Sequence, residues 1–231
     1  MPTPVILAAV AAFFTFATPA SAQPGADMVK FAADAEKARG HLLVSEQLYA
    51  QAQARRGALH AAHPVQELGN RLIGPVRRVD AARADRLRET LKEPGRAIEA
   101  RVPAAQYTAT VARVASALDD AVTRVVGAEE RAKPAFRARV LAALLDGVAD
   151  EYDEAFKDGR ITQVVEYQDA YGFFSRARAL YDALPPSARR ADAEMTSLAK
   201  ALASREPPKE PMPARDLRAL TRRIGRALSS P

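Results

Sequence analysis

The histidines and the carboxylates near them are the residues of this sequence best suited to chemistry. The chain has only three histidines in 231 residues. His60 and His63 stand in the segment HAAHPVQEL together with Glu67, and His41 lies upstream. Imidazole nitrogen combined with carboxylate oxygen suits iron, copper, zinc or manganese better than calcium or magnesium. These residues are therefore candidate ligands of a divalent or trivalent transition metal, and the remaining ligands must come from elsewhere in the chain.

Pro64 decides how two of these imidazoles are presented. If the segment is helical, His60, His63 and Glu67 fall within a sector of about 60°. Proline is best accommodated in the first turn of a helix, so we expect the helix to begin at Pro64. His63 would then lie near the helix cap and His60 in the preceding loop. Either geometry lets both imidazoles point the same way.

Three further carboxylates lie on a predicted helical hairpin, residues 151–174, which turns at an Asp-Gly pair. On a helical wheel, Glu166 and Asp169 fall in an apolar stripe, and Glu151 lies at the margin of an apolar face. The apolar members of the stripe are Phe173, Ala177, Leu180 and Leu184. Buried carboxylates are costly unless they are paired, protonated or bound to a cation. The candidate metal ligands are therefore His41, His60, His63, Glu67, Glu151, Glu166 and Asp169.

The elements that must position these side chains are helices. Strong helix formers dominate the sequence, and no stretch alternates with the period of a strand. With Pro and Gly taken as breaks, we predict helices at about 27–56, from 64 with an interruption near 74–75, and at 80–93, 103–126, 134–157, 161–184 and 187–203. The fold class is all-α, an antiparallel helical bundle.

The C-terminal segment differs in composition from the rest. The sequence REPPKEPMPAR predicts a stiff linker, and a short basic amphipathic helix follows it. The basic residues Arg218, Arg222, Arg223 and Arg226 lie on or near the face opposite Leu217, Leu220, Ile224 and Leu228. They are candidate contacts to a membrane or a partner. The helix can lie on an anionic membrane surface or dock on the bundle. The linker permits both, and we expect a mobile tail.

The first 22 residues have the features of a cleaved secretory signal. They hold an apolar run of 13 residues and end in Ala-Ser-Ala, without a charged side chain. Such a run is too short for a stable membrane anchor, and small-x-small suits signal peptidase. We predict a signal peptide at 1–22, a helical-bundle domain at 23–204, and the linker with its basic helix at 205–231. The predicted location is the periplasm.

Composition excludes several classes of function. The chain has no cysteine, which rules out c-type haem attachment, thiolate zinc sites and a cysteine nucleophile. The net charge is +6, and residues 205–231 contribute seven basic and three acidic side chains to it. The rest of the chain is nearly balanced, so nucleic acid is not an expected partner.

Three segments of the sequence resemble a known family. GHLLVSEQLY (40–49), HAAHPVQEL (60–68) and EYDEAFKDGRITQVVEYQDAYGF (151–173) are similar to exported bacterial helical proteins, and in particular to the periplasmic helical domains that accompany high-affinity iron permeases. The resemblance covers about residues 30–185 and implies a role around periplasmic iron or another transition metal, with a membrane metal permease as partner. The Gly-x-His-x-x-Glu motif of imelysin-type proteins is absent, because Val44 stands at the place of its glutamate.

Three functions remain open at this point. The first is a non-catalytic metal-binding or metal-delivery protein. The second is a structural or partner-binding bundle in which the polar cluster is a hydrogen-bond network of the core. The third is a hydrolase with a metal-activated water and Glu67 or Glu151 as general base. It ranks last because the sequence has no HExxH, serine-nucleophile or phosphate-loop motif. The sequence does not decide the oligomeric state.

Overall fold

A computed structural model describes residues 25–229 and confirms the all-α prediction. Its helices are α1 (Ala26–Ala50), α2 (Ala54–Gln66), α3 (Gly69–Val79), α4 (Ala81–Glu99), α5 (Ala104–Val126), α6 (Ala128–Ala132), α7 (Pro134–Ala155), α8 (Val164–Asp182), α9 (Asp192–Ala201) and α10 (Ala214–Ser229). A hairpin of β1 (Phe156–Lys157) and β2 (Arg160–Ile161) joins α7 to α8, and a 3-10 turn (Pro186–Ala188) precedes α9. The predicted signal peptide lies outside the described residues. Within the described range, no helix has both the length and the apolar character needed to cross a membrane.

Two hydrophobic cores lie side by side in the molecule. The first is built mainly from α1 to α5, and the second from α7 to α10. Helix α1 joins them, because it packs on α2 and α5 and also on α7 and α8. A side chain on α1 can therefore meet groups from both halves of the molecule.

Helix α10 is part of the second core, so the expectation of a mobile tail is wrong. Leu217 and Ile224 are fully buried, and burying one such side chain contributes about 1.5 to 3 kcal/mol. Arg218 adds a polar anchor, since its Nε lies 2.7 Å from Asp153 Oδ2 on α7. The apolar stripe of α10 thus faces the bundle. The division of the chain at residue 204 stays a prediction.

Three prolines do not mark the helix boundaries that the sequence indicated, namely a start at Pro64, an interruption at Pro75 and an end before Pro94. Pro64, Pro75 and Pro94 lie inside α2, α3 and α4. An interior proline costs about 3 kcal/mol through a lost hydrogen bond and a steric clash. Pro64 and Pro94 are buried against neighbouring helices, and this packing offsets the local cost. As a result, His60 and His63 both lie on α2, neither of them in a loop.

The predicted first helix is in fact two helices. Helix α1 ends at Ala50, and Ala52 adopts a left-handed conformation with φ of 59° before α2 begins. The turn folds α2 back along α1, and Ser45 Oγ donates to the carbonyl of Gly57 at 2.7 Å. No glycine or proline marks this turn in the sequence.

Helices α1 and α8 cross at two glycines. A Cβ atom added to Gly172 would lie 2.5 Å from the carbonyl oxygen of Gly40 and 2.9 Å from a methyl group of Val44. One added to Gly40 would lie 2.7 Å from the ring of Phe173. Only glycine permits this approach, and it places His41, the residue after Gly40, beside α8.

Candidate metal centre

Four side chains from three helices converge at one point. His41 comes from α1, His60 and His63 from α2, and Asp169 from α8. One ligand atom from each lies within 4.8 Å of all the others. His60 and His63 are three residues apart on one helix, so they share a face. The sequence motif and the EYQD helix therefore meet inside the protein.

The contacts among these side chains centre on the carboxylate of Asp169. Its Oδ1 lies 2.6 Å from His41 Nδ1 and 2.8 Å from His60 Nδ1. Its Oδ2 lies 3.0 Å from His63 Nδ1. His63 Nδ1 in turn lies 3.3 Å from His41 Nδ1. All three imidazoles thus turn the same nitrogen, Nδ1, toward one carboxylate.

The centre is buried and holds an ionised carboxylate. His41, His60 and Asp169 are fully buried, and the His63 side chain is 12% exposed. Burial raises the pKa of Asp169, but the charge of His41 and the hydrogen bonds of the three histidines outweigh it and hold that pKa well below its usual value. Burial lowers the pKa of His63, but the hydrogen bond and charge of Asp169 outweigh it, so that pKa is raised. The carboxylate is therefore ionised.

The donor set fits a transition metal. Three Nδ1 atoms and one carboxylate share a buried point, and the carboxylate oxygen Oδ1 has two of these nitrogens within 2.8 Å. Ligand atoms that share a metal at about 2.1 Å lie roughly 3 to 3.5 Å apart. Neighbouring ligand atoms lie 2.6 to 3.3 Å apart, near the separations of a coordination shell, and all four lie within 4.8 Å of one another. Three imidazoles and one carboxylate suit iron, copper, zinc or manganese.

Glu67 lies at the edge of this cluster. Its Oε2 is 3.6 Å from His41 Nε2 and its Oε1 is 3.5 Å from His63 Nδ1. The side chain is 45% exposed and follows the end of α2. Its carboxylate thus lies beside two of the imidazoles of the cluster.

Glu151 and Glu166 are not in contact with the imidazoles. Together with Glu154 they form a separate group of carboxylates. Burial, followed by the charges of Asp169 and Glu67, raises the pKa of Glu151 to about 8. Burial first, and then the charge of Asp169, raise the pKa of Glu166. The structure therefore divides the seven candidate ligands into a histidine cluster with Asp169, Glu67 beside it, and a second group that includes Glu151 and Glu166.

The predicted basic contacts lie on α10, which packs on α7 and α9. Arg218 is engaged with Asp150 and Asp153 of α7. Arg222, Arg223 and Arg226 are exposed. Their contact with a membrane or a partner stays a prediction.

Two features of the centre were not singled out in the sequence. Gln168 is fully buried, and its Oε1 lies 2.9 Å from His60 Nε2. The glycine pair at 40 and 172 sets the distance between α1 and α8. Gln168 stands beside Asp169 in the sequence, and each glycine lies within three residues of a ligand, which is the signal that could have found them.

The second core has a counterpart among known families. Residues 127–230 match the family model of the iron permease-associated 4-helix bundle domain. This confirms the resemblance to permease-associated helical domains. The match covers residues 127–230, whereas the sequence resemblance was expected over about residues 30–185. The match includes α10, because that helix is the fourth of the bundle α7 to α10, and it leaves out α1 to α5. No curated protein and no solved structure matches the chain.

The match covers only part of the candidate centre. Asp169, Glu151, Glu154 and Glu166 lie within residues 127–230, while the three histidines and Glu67 lie outside them. The family thus supports a relation to iron transport, and the imidazoles come from helices to which the family model does not extend.

Proposed function

We propose that the protein binds a transition-metal ion, with iron as the first candidate, at His41, His60, His63 and Asp169. It is a non-catalytic binding or delivery protein that works in the periplasm and serves a membrane metal permease. The observation that carries the proposal is the convergence of three Nδ1 atoms on one buried, ionised carboxylate. The match of residues 127–230 to an iron permease-associated domain supports iron as the cargo.

The competing function is a structural bundle with a polar network in its core. Such a network is stable when every buried polar group has a partner. Here Nε2 of His41 and Nε2 of Gln168 lack one, and the pairs His41–Asp169 and His60–Asp169 draw on the same oxygen. The network is therefore incompletely satisfied, and a cation at the common point would bind the three Nδ1 atoms and the carboxylate together, which favours the metal-binding function.

Metal titration of the stripped protein tests the proposal. The chain without residues 1–22 is treated with chelator and titrated with Fe(II) under anaerobic conditions, and then with Cu(II), Zn(II) and Mn(II). We expect one ion per chain with a dissociation constant of about micromolar or below. The Asp169→Asn variant and the His60→Asn/His63→Asn double variant should lose this binding.

A matched control comes from an exposed carboxylate. Asp182 pairs with Arg178 on the surface of α8, so Asp182→Asn removes one charge from the same helix and should bind metal normally. If no metal binds more tightly than about millimolar, the proposal is wrong. If the double histidine variant keeps its metal content and only its melting temperature falls, the structural function is correct.

Helix α10 allows a test of the proposed contact with a membrane. We propose that its exposed arginines hold the protein near an anionic membrane that contains the permease. Because α10 belongs to the core, the test uses Arg222→Gln/Arg223→Gln in place of truncation. Wild type should bind phosphatidylglycerol vesicles at low salt and release them at high salt, and the variant should bind less. A full chain that ignores such vesicles at low salt refutes the membrane contact.

A further inference from the structure

Gln168 touches the centre without being a candidate ligand. It lies on α8, one residue before Asp169, and is fully buried. Its Oε1 lies 2.9 Å from Nε2 of His60, whose Nδ1 faces Asp169. The two ring nitrogens of His60 are thus held by adjacent residues of one helix.

The chemistry of this contact fixes the tautomer of His60. An amide oxygen only accepts hydrogen bonds, so Nε2 must carry the proton that is donated to it. With the proton held on Nε2, a metal ion takes the place of the proton between Nδ1 and Asp169, and the lone pair of Nδ1 then faces the ion at the common point with His41, His63 and Asp169. Metal-ligating histidines regularly donate their second ring N–H to such a partner, which orients the ring and raises its basicity.

We infer that Gln168 is the positioning residue of the centre, and that the amide oxygen of Gln168 makes His60 bind the metal through Nδ1. This rests on the proposed function and adds to it the ligating atom and the residue that selects it. His41 and His63 also present Nδ1 to the common point, so the centre binds its ion through three Nδ1 atoms.

The opposite orientation of the Gln168 amide would give a different arrangement of hydrogen bonds around His60. If the NH2 group of Gln168 donated to His60 Nε2, the ring proton would reside on Nδ1 and point at Asp169. That arrangement is a metal-free hydrogen-bond network in which His60 offers no lone pair to the centre. The tautomer of His60 therefore separates the two functions as well as testing Gln168.

The test uses Zn(II) as a diamagnetic probe and nitrogen NMR of protein labelled with 15N-histidine. Long-range proton–nitrogen correlations tell a metal-bound nitrogen from a protonated one in each ring. In wild type we expect zinc on His60 Nδ1 and a slowly exchanging proton on Nε2. Zinc on Nε2 of His60 overturns the inference, and this spectrum requires no variant.

Variants give a second readout. Gln168→Met keeps the size of the side chain and removes the acceptor, and it should weaken zinc binding about 10- to 100-fold and abolish the slow Nε2 proton. Gln168→Glu restores an acceptor oxygen and should bind within about tenfold of wild type. Gln66→Met, on the exposed side of α2, is the matched control and should have no effect.

The outcomes separate this inference from the proposed function. Wild type that binds no metal refutes both. Wild type that binds zinc, with Gln168→Met binding equally well, refutes the role of Gln168 and leaves the metal-binding function standing. Rescue by Gln168→Glu shows that the acceptor atom, and not the packing of the side chain, determines the affinity.

Discussion

Substitution of Gly172 by alanine should disrupt the candidate centre without touching any of its ligands. The new Cβ would lie 2.5 Å from the carbonyl oxygen of Gly40 and 2.9 Å from Val44. The first of these atoms belongs to the backbone of α1 and cannot rotate away. The helices α1 and α8 must therefore move apart, and they carry His41 and Asp169 with them.

The magnitude follows from these distances. An ordinary contact of about 3.4 Å requires a local separation of roughly 0.5 to 1 Å, and overpacking of this kind costs about 1 to 3 kcal/mol. The gain in helix propensity from Gly to Ala is about 1 kcal/mol, so the net loss is about 0 to 2 kcal/mol. A metal site tolerates ligand displacements of about 0.2 Å. We therefore expect metal affinity to fall by more than about tenfold.

Urea unfolding and metal titration of Gly172→Ala measure the two effects. Gly95 is the matched control, because it lies inside α4 and a Cβ atom there meets nothing within 4 Å. Gly95→Ala should gain about 0.5 to 1 kcal/mol of stability and bind metal normally. A Gly172→Ala protein with the affinity and stability of wild type would refute the reasoning that this crossing sets the geometry of the centre.

Three more outcomes are expected. Hydrogen bonds from Arg131 first, and then from Arg39, hold the pKa of Asp119 at about 2 in place of 3.8. Because this pKa is lowered, the ionised carboxylate stabilises the fold above about pH 4, and the stabilisation is lost as the pH falls toward 2. Because the Asp119 side chain is 48% exposed, solvent screening limits this stabilisation to below about 1 kcal/mol. In a plot of unfolding free energy against pH, Asp119→Asn should reduce the loss of stability between about pH 4 and pH 2 by that amount. Leu217→Ala removes a fully buried side chain and should cost about 2 to 5 kcal/mol in urea unfolding, which a free tail would not show. Saturating metal should raise the melting temperature, since a ligand at 100 times its dissociation constant adds about 2.7 kcal/mol, and chelator should reverse the change.

The periodicity of apolar residues was enough to predict the fold class and the direction of several side chains. Asp169 was predicted to face the core because it shares a stripe with Phe173 and Ala177, and it is fully buried. Helix α5 begins and ends within one residue of its prediction. These features depend on local sequence alone, which is why they could be read from it.

Features that depend on packing between distant segments could not be predicted in the same way. The interior prolines are tolerated because packing against neighbouring helices offsets their local cost. Helix propensities describe single residues and do not include this packing energy. The turn at Ala52 has no glycine or proline to mark it. The choice of Asp169 over Glu166 as the partner of the imidazoles depends on where α1 crosses α8, and that crossing is set by a glycine pair separated by more than a hundred residues.

The division of the centre between two parts of the chain has a physical consequence. Asp169 belongs to the segment that matches the permease-associated bundle, and it is fully buried. An ionised carboxylate in that position is costly unless positive charge or hydrogen-bond donors surround it, and here those donors are His41, His60 and His63 from α1 and α2. The four-helix bundle therefore holds the carboxylate, and α1 and α2 supply the imidazole nitrogens that face it. Metal binding of the proposed kind is a property of the two halves packed together, with α1 as the element that joins them.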